Sequence, residues 1–160
     1  MIEGFPRVLI LISAVGAGLV GGIFFAFSTF VMKALNRLSP AQGIAAMQSI
    51  NVTVINPLFM TAFFGTAAAC AILTILSLLN WHRPGGVFLL VGGLLYLFGT
   101  VLVTILFNVP RNEALAAVDP ASSEGARLWA GYVSGWTARN HVRTAAALAA
   151  AASLTVALCY

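Results

Sequence analysis

Polar side chains of the kinds that proteins use for catalysis are concentrated in residues 129–144, which read WAGYVSGWTARNHVRT. This segment contains Asn140, His141 and Arg143, and an alanine-rich apolar stretch follows it directly. An ionised side chain costs about 2.5–3.5 kcal/mol in the middle of a membrane, so an arginine beside an apolar stretch usually faces protein or water. Arg143 and Asn140 are therefore candidates for stabilising an anion that forms on a ligand.

His141 is the candidate proton acceptor of this segment, because imidazole is the side chain most often used as a general base. Structural hydrogen bonding is the alternative role. A metal site needs three or four ligands, and only a fold that brought Glu113 and Asp119 to His141 would assemble them. We therefore expect neither a metal nor another cofactor.

One helical face unites the aromatic and polar residues of the segment. Trp129, Tyr132, Trp136, Asn140 and Arg143 recur at spacings of three and four, which places them on the same side of an α-helix. Two interpretations are open. The face is either an aromatic belt at the lipid headgroups, or the wall of a slot for a flat aromatic ligand, with Trp136 stacking on it and Arg143 at its polar end.

Four further asparagines are candidate substrate-binding residues, because they lie near the ends of the apolar segments on the same side of the predicted fold. They are Asn51, Asn56, Asn108 and Asn112. Asn108 and Asn112 are expected to orient a ligand toward the residues of the 129–144 segment.

The composition indicates what surrounds these residues. The chain has 160 residues, of which 61% are apolar and 8% charged, with a mean hydropathy of +1.00. A soluble domain has about 25% charged residues, so this chain requires lipid as its solvent. We expect one integral membrane domain over residues 1–160. The net charge of +4 is typical of loops that face anionic lipid, and it argues against a nucleic-acid partner.

Four apolar segments are long enough for the roughly 20 residues that cross a bilayer. The predicted spans cover residues 5–32, 57–79, 87–107 and 137–160. The first is expected to be retained, because no clear small-residue cleavage site follows it. Pro110 is expected to end the third span. The fold class is thus all-α, a four-helix transmembrane bundle in a membrane that we expect to be the bacterial inner membrane.

Two interfacial amphipathic helices are predicted in the long connections between spans. Ser39-Pro40 has the pattern of a helix start, and Asp119-Pro120 is a similar cap before the 129–144 segment.

Five blocks in order along the chain resemble the anthrone oxygenase-like integral membrane family. They are FFAFSTFVMKAL at residues 24–35, AMQSIN at 46–51, NPLFM at 56–60, FNVPRNEAL at 107–115 and WTARNHVRT at 136–144. The resemblance implies a small four-span bundle. It also implies, for some members, oxidation of an anthrone to an anthraquinone by O₂ without an evident cofactor.

Two functions are compatible with these patterns. In the first, the protein is an oxygenase that oxidises a hydrophobic aromatic substrate from the lipid, with His141 as base and Arg143 and Asn140 stabilising the anion. In the second, it is a non-enzymatic lipid- or quinone-binding protein or a small subunit of a membrane complex. The expected partners are the lipid bilayer and a hydrophobic small molecule, and a homo-oligomer is left open.

Overall fold

A computed structural model describes residues 7–160, so the predicted start of the first span at residue 5 lies outside the described residues. Five helices follow one another: α1 (Arg7–Leu35), α2 (Pro40–Thr53), α3 (Pro57–Leu79), α4 (Gly86–Ala116) and α5 (Ser123–Ala157). The described part of the chain contains no strand, so the prediction of an all-α protein is confirmed.

Helices α1, α3 and α4 are long and apolar enough to cross a membrane. Each coincides with one of the first three predicted spans. Their outward faces carry large apolar side chains that are exposed, among them Leu11, Val15 and Leu19 on α1, Ile75 on α3 and Phe98 on α4. A surface of this kind is typical of a protein that contacts lipid.

Helix α5 begins at Ser123, whereas the fourth span was predicted to begin at residue 137 after a separate interfacial helix. The Ser122 hydroxyl accepts a hydrogen bond from the Gly125 amide at 3.0 Å and caps the helix. Asp119, the predicted cap, instead accepts from the Ala121 amide at 2.9 Å in the preceding turn. The interfacial segment and the fourth apolar segment are one continuous helix, because a single buried face runs through both.

Helix α4 also departs from prediction, because it continues through Pro110 to Ala116. A proline inside a helix removes one backbone hydrogen bond and crowds the preceding turn. The turn before Pro110, Thr104–Asn108, is π-helical. Such a widened turn already interrupts the regular hydrogen-bond ladder, which makes room for the ring.

The four long helices pack side by side, α1 against α3 and α5, and α4 against α3 and α5. Between them lies an apolar core that includes Ala17, Val20, Leu73, Tyr96 and Leu154. Glycines allow the close approach of α4 and α5: a Cβ on Gly92 would lie 2.8 Å from the Leu154 Cγ.

Helix α2 covers one end of this arrangement, where it packs on α5, on the last turns of α4 and on the end of α1. A second apolar cluster forms there from Met32, Ile44, Met47, Leu115 and the aromatic residues of α5. We call this end, which holds α2 and the first half of α5, the polar end, because it also holds the candidate site.

Candidate functional site

Arg143 lies inside the protein at the polar end and is only 4% exposed. Its Nη2 donates to the Asn140 Oδ1 at 2.5 Å, and its Nη1 donates to the Thr104 hydroxyl at 3.2 Å. The guanidinium carbon is 4.1 Å from the centre of the Phe24 ring and 5.0 Å from that of Trp136. Two neutral acceptors and two aromatic rings thus hold the cation in place.

The amide of Asn140 has one fixed orientation. Its Nδ2 donates to the Phe24 carbonyl and to the Ser28 hydroxyl, both at 2.7 Å, which leaves its Oδ1 for Arg143. The Ser28 hydroxyl lies 3.0 Å from that of Thr144, which in turn donates to the Asn140 carbonyl. Asn140 is fully buried, so this network positions the guanidinium with little freedom.

No carboxylate forms an ion pair with Arg143 among residues 7–160, and its Nε is buried without a hydrogen-bond partner. A buried charge is costly unless it is paired, and its neutral acceptors compensate only part of that cost. The same part of the chain contains no group of three His, Cys, Asp or Glu side chains that could hold a metal ion. Arg143 is therefore a cation that lacks a counter-ion within the described protein.

Asn112 fixes the aromatic wall beside Arg143. Its Oδ1 accepts hydrogen bonds from the Tyr132 hydroxyl and from the Trp136 Nε1, both at 2.9 Å. The rings of Trp129, Tyr132 and Trp136 stack in sequence along α5. Burial raises the pKa of the Tyr132 hydroxyl above its ordinary value, so the group remains a hydrogen-bond donor.

A cleft of about 920 Å³ opens at this wall, and all five helices contribute to it. Its surface is mainly apolar, and its polar wall residues are Gln48, Asn51, Thr104, Asn112, Glu113 and Arg143. Three π-helical segments supply part of the lining: Phe27–Val31 contributes Phe27, Thr61–Gly65 contributes Phe63 and Phe64, and Thr104–Asn108 contributes Thr104 and Ile105. A π-turn redirects side chains, and such turns are frequent at functional sites.

Asn51 adds an amide to the wall of the cleft. It faces the Tyr132 hydroxyl, but its buried Nδ2 has no hydrogen-bond partner among residues 7–160. Asn108 lies beside the cleft and not on it: it is 1% exposed, and its Nδ2 donates to the Trp136 carbonyl at 3.3 Å. Within the described part of the chain, its Oδ1 has no hydrogen-bond partner. Both asparagines therefore retain unused hydrogen-bonding capacity near Trp136 and Arg143.

Two predicted site residues lie away from the cleft. His141 is exposed on the other side of α5, where it lines a separate cavity of about 290 Å³ with Lys33 and Thr137. Asn56 is exposed and caps α3, accepting from the Phe59 amide at 3.0 Å. Of the eight predicted site residues, the structure thus brings six together, either on the cleft or within the network that supports it: Asn51, Asn108, Asn112, Trp136, Asn140 and Arg143.

The sequence patterns missed three of the groups that contact Arg143 or Asn140: Phe24, Ser28 and Thr104. The hydrogen-bond partners of Arg143 are Asn140 on its own helix and Thr104 on α4. Ser28 within a run of phenylalanines, and Thr104 four residues after Thr100, were the available signals. Neither spacing indicates which helix will face which.

Residues 59–153 match the family model for anthrone oxygenase. The matched region holds Thr104, Asn112, Trp136, Asn140 and Arg143, and it leaves out α1 and α2, which supply Phe24, Ser28 and Asn51. No curated protein and no solved structure matches the chain.

Proposed function

The chain belongs to the anthrone oxygenase family, and on that premise we propose that its cleft binds a flat, hydrophobic aromatic ketone or phenol and oxidises it with O₂. The observation that carries the proposal is Arg143, a buried guanidinium that lies on the wall of an apolar cleft and has no counter-ion among residues 7–160. A ligand that becomes an anion during reaction would supply the missing negative charge.

The dimensions and lining of the cleft suit such a ligand. Small-molecule sites usually enclose 300–1,000 Å³ and combine an apolar wall with a few polar groups. The cleft has about 920 Å³, and its wall contains Phe24, Phe27, Phe63 and Trp136. This volume and this aromatic lining are compatible with a system of three fused rings together with O₂.

The chemistry follows from the charge that develops on the substrate. An anthrone carries a carbonyl and an acidic methylene on one ring, and removal of a methylene proton gives an enolate. Arg143, held by Asn140 and Thr104, stabilises the enolate oxygen in a site that is poor in water. The electron-rich enolate is then oxidised by O₂: one anthrone and one O₂ give one anthraquinone and one water.

We propose that the hydrophobic substrate reaches the cleft from the membrane. We propose that residues from 137 onward in α5 form a fourth span beside α1, α3 and α4, so that the four helices make a transmembrane bundle. The apolar part of α5 after Arg143 is about 21 Å long, shorter than the roughly 30 Å of hydrocarbon, so the Asn140–Arg143 network would lie just inside the bilayer. Helix α2 would lie at the interface and cover the cleft.

The test is O₂ uptake and anthraquinone formation by the protein purified in detergent and supplied with anthrone. Arg143→Met should lower kcat/KM by about 100-fold or more, because it removes the charge that stabilises the anion. Arg139→Met is the matched control: Arg139 is exposed one turn earlier on α5, 5.0 Å from the Phe107 ring, and its loss should leave kcat/KM within a few-fold.

Arg143→Lys retains the charge but cannot make the hydrogen bonds to Asn140 and Thr104 in the same geometry. If this variant is folded, its kcat/KM should lie between that of the wild type and that of Arg143→Met. Size-exclusion chromatography and thermal unfolding identify any variant that fails to fold. If the wild-type protein bound anthrone but took up no O₂, the proposed oxygenase activity would be contradicted, and a non-enzymatic quinone-binding role would be favoured. Full activity of Arg143→Met would overturn the role of the guanidinium.

A further inference from the structure

The cleft wall contains very few ionisable side chains. Of the described residues that line it, only Arg143 and Glu113 carry one. Glu113 lies on α4 beside Asn112, and it is exposed to solvent as well as to the cleft. A carboxylate is a competent general base, whereas a guanidinium remains protonated and only stabilises negative charge.

His141 does not line this cleft. It is two residues from Arg143 on α5, which places it about 200° around the helix axis. Its side chain lines the separate small cavity with Lys33 and Thr137, and the buried Asn140 network stands between that cavity and the cleft.

Both charged groups line the same cleft, so both face the volume that a ligand would occupy. In an anthrone the methylene carbon lies about 4 Å from the carbonyl oxygen, across the central ring, and a contact of about 3 Å at each end gives a span of roughly 10 Å. Arg143 donates to Thr104 on α4, and Glu113 follows nine residues later, which corresponds to a rise of about 13 Å along the helix axis. This axial rise is of the same order as the span of the ligand with its two contacts.

We propose that Glu113 is the proton acceptor of the cleft and acts on the C–H group of a substrate whose carbonyl oxygen lies at Arg143. This inference rests on the proposed function and adds the group that performs its proton transfers. The partial exposure of Glu113 lets its proton exchange with water between turnovers.

In the first step, the Glu113 carboxylate takes one methylene proton, and the C–H electron pair forms the enolate at Arg143. The enolate gives one electron to O₂, and the resulting superoxide and substrate radical join in a C–O bond. The peroxide takes the first proton back from Glu113. Glu113 then removes the remaining C–H proton as the O–O bond breaks, and the departing hydroxide takes that proton to become water.

Deuterium washout isolates the first proton transfer from the oxidation. Anthrone deuterated at the methylene is incubated with the full-length protein in detergent without O₂, and loss of deuterium to water is followed by mass spectrometry. The wild-type protein should accelerate washout over buffer. Glu113→Gln should reduce the protein-dependent rate by about 100-fold or more, and Glu113→Asp should retain part of it.

Two variants serve as controls. Glu124→Gln neutralises a carboxylate in the first turn of α5, away from the cleft, and should leave washout unchanged. His141→Gln should also leave it unchanged. The inference would be overturned if Glu113→Gln accelerated washout at the wild-type rate, if His141→Gln lost the acceleration, or if the wild-type protein did not accelerate washout over buffer.

The same preparations measured with O₂ separate this inference from the proposed function. Washout without O₂ uptake by the wild-type protein would reject the oxidation while supporting proton transfer by Glu113. Anthraquinone formation that is undiminished in Glu113→Gln would support the oxidation and reject Glu113 as its base.

Discussion

The two halves of α5 pack in opposite ways. In the second half, Ala146, Ala147 and Ala150 lie against neighbouring helices, and a Cβ added to Gly21 of α1 would come within 2.9 Å of Leu148. In the first half, large aromatic rings occupy the corresponding face, and Trp136 borders the cleft.

This difference accounts for the position of the cleft. Small residues let helix backbones approach closely, and the alanine half packs against α1 and α4 in this way. In the aromatic half Trp136 borders the cleft, and residues of α2 line another part of its wall. Asn140 and Arg143 lie where the two kinds of packing meet: Asn140 is fully buried, and Arg143 also lines the cleft.

Removal of the polar network should produce the largest effect. Asn140→Leu leaves Arg143, the Phe24 carbonyl and the Ser28 hydroxyl short of buried partners, and it should lower the free energy of unfolding by about 3–5 kcal/mol. Denaturant titration in detergent measures this. Ser153→Ala, which removes one hydrogen bond to the Phe88 carbonyl in the alanine half, should cost only about 1 kcal/mol. Equal costs would contradict the contrast between the halves.

A methyl group added where α4 packs against the alanine half of α5 should have a smaller effect on stability and none on catalytic activity. In Gly99→Ala the new Cβ would overlap that of Ala146, and the strain should cost about 1–3 kcal/mol. Activity per folded molecule should be unchanged, because neither Gly99 nor Ala146 lines the cleft. Gly22→Ala is the control, since no atom lies within 4 Å of its added Cβ; it should be neutral or stabilising. A Gly99→Ala protein of wild-type stability would refute close packing there.

The aromatic wall should show the smallest effects individually and a larger one in combination. Trp136→Phe and Tyr132→Phe each remove one donor to the Asn112 Oδ1 and should each cost about 0.5–1.5 kcal/mol. The double variant leaves that oxygen without either donor, so its cost should exceed the sum by about 0.5–1 kcal/mol. Tyr160→Phe, at an exposed position, should stay within about 0.5 kcal/mol of wild type. Strict additivity would show that Asn112 does not couple the two rings.

Local periodicity was enough to predict much of this arrangement. The apolar lengths predicted α1, α3 and most of α4, because only long apolar helices suit a lipid environment. The spacing of Trp129, Tyr132, Trp136, Asn140 and Arg143 predicted one shared face, and all five are buried in the structure.

Sequence patterns were least informative where a residue's neighbours come from another helix. Pro110 was expected to end α4, but the π-helical turn before it accommodates the ring. His141 was a candidate base by residue type, yet it lies on the opposite side of α5 from Arg143. Thr104 gave no sign of its role, because its contact with Arg143 depends on how α4 and α5 align.

The sequence by itself determined that this chain is a membrane-type helical protein of the anthrone oxygenase family, and which face of α5 carries its polar side chains. Those properties depend on composition and on spacing along a single helix. Tertiary structure alone decided that Arg143 has no counter-ion within the described part of the chain, that Asn140 presents its oxygen to it, and that Glu113 shares its cleft. Each of these depends on distances between helices that are far apart in the chain.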